Sequence, residues 1–212
     1  MRLVILGPQG AGKGTQSVRI SEKYDVPDIS TGDMFRWAIS NGTEMGQQAQ
    51  EYVQHGRLVP NEITIAVVRE RLEAQDCLHG FLLDGFPRNL AQAEALDGIL
   101  EDQGSQLDAA LVIEVPEEVS LRRLTGRRVC SQCGRNYNVD NPPKRDWECD
   151  RCGGKVEKRL DDQDEAAIRE RLKLYHEQTE PLKEYYEQRG TLRSVSGEGS
   201  PDDVFNRIVT AL

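Results

Sequence analysis

The first fifteen residues, Met1–Thr15 (MRLVILGPQGAGKGT), constrain the fold more than any other stretch. Arg2–Leu6 is a short apolar run with β-branched Val4 and Ile5, which predicts a strand buried on both faces. Gly7, Gly10, Gly12 and Gly14 then crowd into eight residues with Lys13, and Thr15 follows. A helical pattern runs on over Thr15–Lys23. Strand, glycine-rich loop and helix are the setting a phosphate-binding loop requires. Glycines let the backbone wrap a phosphate and turn its N–H groups inward, and the helix N-terminus adds partial positive charge. Lys13 can reach the β- and γ-phosphates, and Thr15 can place a hydroxyl near Mg²⁺. Gly7 to Lys13 fits G-x-x-x-x-G-K; Gly14 stands where Ser or Thr is usual, with Thr15 one place later.

A chain of 212 residues can bury one good core and carry small insertions. No apolar run approaches the roughly 18–20 residues of a membrane span, and the phosphate loop begins too early for a signal peptide. These features predict a cytoplasmic protein that does not bind membranes. A net charge of −9 disfavours general nucleic-acid binding, so a site for anionic substrates must gather its own arginines. Four of the five cysteines form Cys130-x-x-Cys133 and Cys149-x-x-Cys152, fifteen residues apart. In a cytosolic protein this spacing predicts a tetrathiolate metal site. Zn²⁺ is the default ion; iron is compatible with the Cys-x-x-Cys-Gly form. Cys77 is left over and reads as a small buried residue near a helix end.

Farther along, Val26–Ile29 predicts a second strand, Met34–Ile39 and Glu44–Gln54 two short helices, and Gly56 and Pro60 bracket a turn. Asn61 is expected to cap a helix over Glu62–Gln75 with Ile63, Val67 and Leu72 on one apolar side. Gly80–Asp84 reads as a buried strand, Asn89–Glu101 as a helix, Ala109–Val115 as a strand and Glu117–Thr125 as a helix. Arg127 to about Asp161 changes character: it is loop-rich, charged and built round the cysteines. A long helix, Asp164–Arg189, is expected to bend before Pro181; Leu192–Val195 gives the last strand and Pro201–Ala211 the last helix. Five short strands alternating with helices predict an α/β fold, a five-stranded parallel sheet covered on both faces. Ligands in such sheets bind beyond the carboxyl ends of the strands, where Gly7, Asp84 and Arg88 all fall. A carboxylate closing a strand in a phosphate-loop protein serves Mg²⁺, directly or through water, which nominates Asp84.

Asp84-Gly85-Phe86-Pro87-Arg88, Ser30-Thr31-Gly32-Asp33-Met34-Phe35-Arg36, Gly126-Arg127-Arg128 and the phosphate loop together resemble adenylate kinase along essentially the whole chain. The cysteine pairs resemble those of the metal-bearing, long-lid bacterial form. The resemblance implies the reversible reaction MgATP + AMP ⇌ MgADP + ADP, carried out by a monomer. It implies a core of residues 1–29, 60–126 and 162–212, an AMP-binding insertion at 30–59 and a lid at 127–161. AMP would touch Thr31, Arg36, the turn Arg57-Leu58-Val59, Gly85-Phe86-Pro87-Arg88 and Gln92, whose amide can pair with the adenine edge. ATP would touch Gly10-Ala11-Gly12-Lys13-Gly14-Thr15, Arg123, Arg127, Asn136-Tyr137 and Gly199. Arg159 and Arg171 would grip the phosphates between the nucleotides. The two stand twelve residues apart, one more than the family spacing, and Arg169 is the fallback for the second. Lys13 with Arg88, Arg123, Arg127, Arg159 and Arg171 would be the catalytic set. Such cations suit phosphoryl transfer, which needs alignment and charge neutralisation rather than a general base.

Two other readings share some of these features. A kinase for a different nucleoside monophosphate would keep the phosphate residues, but Thr31, Gln92 and the long lid favour adenine. A zinc-ribbon nucleic-acid-binding protein switched by ATP would use Arg127, Arg128, Arg135, Lys144, Arg145 and Arg151, against the acidic total.

Overall fold

The computed structural model describes residues 1–55, 57–159, 162 and 164–212. Gly56, at one end of the expected turn, and Asp161, at the expected lid boundary, lie outside the described residues. Strands β1 (Arg2–Leu6), β2 (Asp28–Ser30), β3 (Phe81–Asp84), β4 (Ala109–Glu114) and β8 (Leu192–Ser196) form a parallel sheet in the order β2-β3-β1-β4-β8. The chain leaves β1 for one side of the sheet and later returns to the other. This puts the topological switch beside β1, where the glycine-rich loop begins.

The period of two along the central strands builds two cores. Val4, Leu6, Phe81, Leu83, Ala110 and Val112 face one way. They pack on α4 (Asn61–Leu72), α5 (Leu90–Asp102) and α8 (Leu182–Gln188) through Val68, Leu96 and Tyr186. Leu3, Ile5, Leu82, Leu111 and Ile113 face the other way, onto Ile20 of α1 (Lys13–Tyr24) and Val204 and Ile208 of α9 (Pro201–Ala211). Each such aliphatic side chain contributes about 1.5–3 kcal/mol through burial. The core therefore fixes the strand ends on which the site is mounted.

Helix α1 starts two residues earlier than the sequence pattern suggested. Gly12, at φ 98°, is its N-cap and offers no capping side chain. Thr15 N and Gln16 N both donate to Gly12 O at 3.1 Å, so the N–H groups of Lys13 and Gly14 are the ones placed to meet a ligand. Helix α4 departs from the capping expectation. Its N-cap is Pro60, while the Asn61 amide oxygen accepts from Asn89 Nδ2 at 3.0 Å and Gln92 Nε2 at 2.9 Å. Nor does α4 have one apolar side. Val68 and Leu72 enter the main core, whereas Ile63 and Val67 pack on Phe35, Ala49 and Val59 in a cluster of their own. That cluster joins α4 to α2 (Thr31–Ser40) and α3 (Glu44–Gln54).

Helix α6 (Glu117–Gly126) passes directly into β5 (Arg127–Cys130). With β6 (Asn136–Asn138) and β7 (Val156–Lys158), β5 forms a three-stranded antiparallel sheet, where the sequence suggested only loops. Strands of three or four residues interrupted by cysteine turns carry too little periodicity to read. The expected long helix is divided into α7 (Glu165–Leu174), a π-helical turn at Tyr175–Thr179 and α8. The wide turn carries Thr179 Oγ1 to the Arg88 carbonyl, to which it donates at 2.7 Å. It thus tethers the loop after β3, a use typical of π-bulges near functional sites.

Candidate active site

The phosphate loop is shaped by packing. A side chain at Gly7 (φ 142°) would place its Cβ 2.4 Å from the Ile113 carbonyl oxygen, and one at Gly10 (φ 83°) would meet Ser120 O at 2.8 Å. These glycines seat the loop on β4 and α6. A Cβ at Gly12 would meet nothing within 4 Å. Lys13 folds back over the loop, donating from Nζ to Gly7 O at 2.7 Å and Pro8 O at 3.0 Å. Desolvation lowers its pKa to about 8; Asp84 opposes the shift, and Arg88, Arg127 and Arg171 reinforce it. One lysine therefore feels three arginines and a carboxylate drawn from three separate parts of the chain. Such a cluster is unfavourable until an anion enters it.

The loop after β3 is held from several sides. Thr31 Oγ1 donates to Gly85 O at 2.9 Å and Arg88 Nε donates to the same oxygen at 2.8 Å. Gln92 is buried; its Oε1 accepts from Arg88 N at 2.8 Å while its Nε2 donates to Asn61. Both ends of the amide expected to read adenine are thus engaged within the protein, one by the loop and one by the start of α4. Phe86 and Val59 are core residues by their side chains, so only their backbones are available to a nucleotide. Arg36 covers Gly32 and pairs with Asp33. Arg57 is exposed on the turn before α4, with Leu58 partly covered beside it.

Asp84 ends β3 in register with Ile5 and Ser30. Local desolvation first, and the charges of Asp84 and Asp33 second, push Asp28 up to about 7. The Asp84 carboxylate at the end of β3 is of the kind that suits a hard cation. Thr15 lies exposed in the first turn of α1.

On the opposite side, Arg123 donates to Gly10 O at 3.3 Å and to Gly197 O at 3.1 Å, tying α6 to the loop. Gly199 (φ 99°) lies just before the capping box of α9. Asn136 reaches over the loop, its Nδ2 standing 3.9 Å from the position of a Gly14 Cβ. Arg127 holds Asp162 by two bonds, of 2.5 and 2.7 Å, and Arg171 holds it by a third of 2.9 Å. Asp162 is completely buried, and the two arginines are 18% and 12% exposed. Arg169, the fallback, is paired with Glu165 on the surface. Arg159 lies close enough to Asp33 to act on its charge. Sequence reasoning missed Asp162. Its signal was a carboxylate within a helix-leading acidic run, where solvated acids are ordinary.

The family described as Adenylate kinase matches residues 5–191 of this chain. Among curated relatives, the adenylate kinase of Moorella thermoacetica is 54% identical, covering all of this chain and 98% of the relative. That of Thermodesulfovibrio yellowstonii is 52% identical, covering all of this chain and 99% of the relative. The adenylate kinase of Archaeoglobus fulgidus is 50% identical with similar coverage. The chain belongs to the adenylate kinase family. It is a nucleoside monophosphate kinase, and the family's reaction is ATP:AMP phosphotransfer. No helix among the described residues is long and apolar enough to cross a membrane.

In this adenylate kinase the four lid cysteines converge, with every Sγ within 4.8 Å of the others. Cys130–Cys152 and Cys133–Cys149 are each 3.5 Å apart. A tetrahedron with about 2.3 Å metal–sulfur bonds has edges of about 3.8 Å, so the set fits a tetrathiolate metal. The two halves are alike: Gly134 (φ 70°) and Gly153 (φ 72°) turn the chain so that their N–H groups donate to Cys130 O and Cys149 O. Desolvation raises the Cys149 pKa, but hydrogen bonds from the Tyr137 hydroxyl and the Arg151 and Cys152 amides outweigh it and hold the thiol at about 6. The apolar cover consists of little beyond Val156, Tyr137 and Trp147. A metal would therefore supply much of the stability of this sheet. Cys130→Ser is expected to lower the melting temperature by about 5–10 °C, a loss of roughly 2–3 kcal/mol, and to lower turnover at low temperature far less. Calorimetry alongside low-temperature assays checks this; lost turnover with an intact melting profile would contradict it.

Proposed function

We propose that the enzyme holds MgATP on Gly10–Thr15 under Arg123, Arg127, Asn136 and the Gly199 turn. AMP would lie between Thr31, Arg36, the Arg57–Val59 turn and Gly85–Arg88. An AMP phosphate oxygen attacks the γ-phosphorus, and the bond to the β,γ-bridging oxygen breaks, leaving two ADP. The nucleophile is already ionised, so the chain's task is alignment and neutralisation. Lys13 and Arg88 stand ready at the phosphate loop; Arg127 and Arg171 come from the lid strand and α7, and Arg159 adds a further charge. Thr15 and Asp84 would hold the Mg²⁺ that accompanies ATP, which supplies charge neutralisation when bound. Residues 30–59 and 127–161 act as the AMP-binding and lid parts, and closure excludes water that would otherwise take the phosphoryl group.

The observation that carries this reading is that Asp84, Arg88, Arg127 and Arg171 all lie near enough to Lys13, over the glycine-rich loop, to act on its charge. We take the tetrathiolate ion to be Zn²⁺ and the protein to be a cytoplasmic monomer. The buried free thiol of Cys77 suits a reducing compartment.

Acceptor choice tests the reading. With MgATP and AMP, GMP, CMP or UMP supplied separately, AMP is expected to be used at least about 100-fold better. Losing the amide and hydroxyl contacts of Gln92 and Thr31 costs about 1–3 kcal/mol each. Equal use of another monophosphate would refute the base-reading roles of Thr31 and Gln92. For Gln92, adenine must take over bonds now made to Arg88 and Asn61.

A further inference from the structure

We propose that Tyr137 is a positioning residue whose hydroxyl ties the cysteine cluster to the nucleotide-facing side of the lid. The inference rests on the reading that the four cysteines hold a metal. Strand β6 is only three residues long, and alternation sends its middle side chain one way and its outer two the other. Tyr137 points toward the cluster. Its oxygen accepts from Asp150 N at 2.8 Å, which leaves its own proton to donate, and it donates to Cys149 Sγ at 3.4 Å. The direction of the bond is therefore set by the backbone. Arg135 lies over the ring, 5.5 Å from its centroid, and steadies it from the outside.

Asn136 and Asn138 take the other face. Asn136 stands above Gly14 of the phosphate loop, and Asn138 Nδ2 donates to Arg123 O at 3.0 Å. One short strand thus touches a metal-ligand sulfur through its middle residue and the ATP-binding elements through its outer two. A strand this short has little rigidity of its own. The phenol–thiolate bond holds its register against the cluster, and Asn136 is held over the loop as a result. Tyr137 thus acts on ATP through its neighbours rather than by contact of its hydroxyl with the nucleotide.

Tyr137→Phe keeps the ring and deletes only the donated bond. Wild-type and Y137F proteins would be loaded with Co²⁺, and their absorption, metal loss to a competing chelator and KM values compared. Hydrogen bonds from outside the ligand shell are worth about 10–100-fold in metal affinity, so Y137F is expected to hold Co²⁺ at least about tenfold more weakly. Its sulfur-to-cobalt charge-transfer band should move to lower energy, because the sulfur lone pairs lose a stabilising proton. The KM for ATP should rise on the order of fivefold, about one hydrogen bond's worth, with the KM for AMP unmoved. A change in cobalt retention without a change in ATP KM overturns the link, as does the reverse, and so does a variant identical to wild type in both. A wild-type protein that takes up no Co²⁺ would overturn the metal reading itself.

Discussion

Lys13→Met is expected to cut kcat by about 10²–10³-fold, the usual cost of deleting one preorganised charge at a transferring phosphoryl group. The same substitution should not lower the melting temperature. Burial strips water from the Lys13 ammonium; Asp84 offsets part of that cost and Arg88, Arg127 and Arg171 add to it, so the fold bears an unfavourable charge there until phosphate arrives. The pH dependence follows from the same shift. The lysine pKa is about 8 in the folded protein, against 10.5 for an unperturbed lysine. Between these values the unfolded chain binds more protons, so stability gains with rising pH across that window; below about 8 the penalty is complete. The Met variant should lack this alkaline gain when melting curves are compared from pH 7 to 10. Bound phosphates restore the charged lysine, so ATP binding near pH 9 should draw a proton from buffer in the wild type and not in K13M. Calorimetry in two buffers of different ionisation enthalpy measures this. Equal proton uptake by both proteins would show that Lys13 does not face the phosphates.

Asp162→Ala should damage both stability and catalysis. Removing the carboxylate leaves the Arg127 and Arg171 guanidinium groups, both mostly buried, facing each other without their shared acceptor. Breaking a buried pair in this way costs about 3–5 kcal/mol, and the small exposure of the arginines puts this site at the lower end, about 3 kcal/mol. For a chain of this size that is a fall of roughly 6–12 °C in melting temperature. Turnover should fall as well, because the two arginines lose their common orientation. Asp162→Asn is expected to recover part of the stability and little of the turnover, since an amide keeps one acceptor but offers no charge. Saturating nucleotide should narrow the melting gap, because its phosphates replace the missing anion. A D162A protein with wild-type melting and turnover would remove Asp162 from the site.

Much of the architecture was readable because it is written in short periods. Leu3–Leu6, Phe81–Leu83 and Ala109–Ile113 are apolar without interruption, which only a strand covered on both faces requires. The glycines of the phosphate loop and the two Cys-x-x-Cys pairs are local patterns whose chemistry follows from spacing. The strands of the lid were not readable, being too short for alternation to show. The helix expected after Asp164 is interrupted just ahead of Pro181, where a bend was expected, but the form of the break was not readable: nothing local announces a π turn, whose use is a bond from Thr179 to a carbonyl 91 residues away.

The same division runs through the site. Residue type and spacing nominated Lys13 and the cysteines, because a glycine-rich loop and paired thiols each have few other uses, while the family resemblance nominated Arg88, Arg123 and Arg127. Which groups a polar side chain answers to was a tertiary matter. Asp162 serves arginines 35 and 9 residues away, Gln92 spends both ends of its amide within the fold, and Tyr137 is directed by a backbone N–H on the far side of the knuckle. A hydrogen bond's partner depends on what the packed chain brings within about 3 Å, whereas strand period and loop chemistry depend on neighbours along the chain.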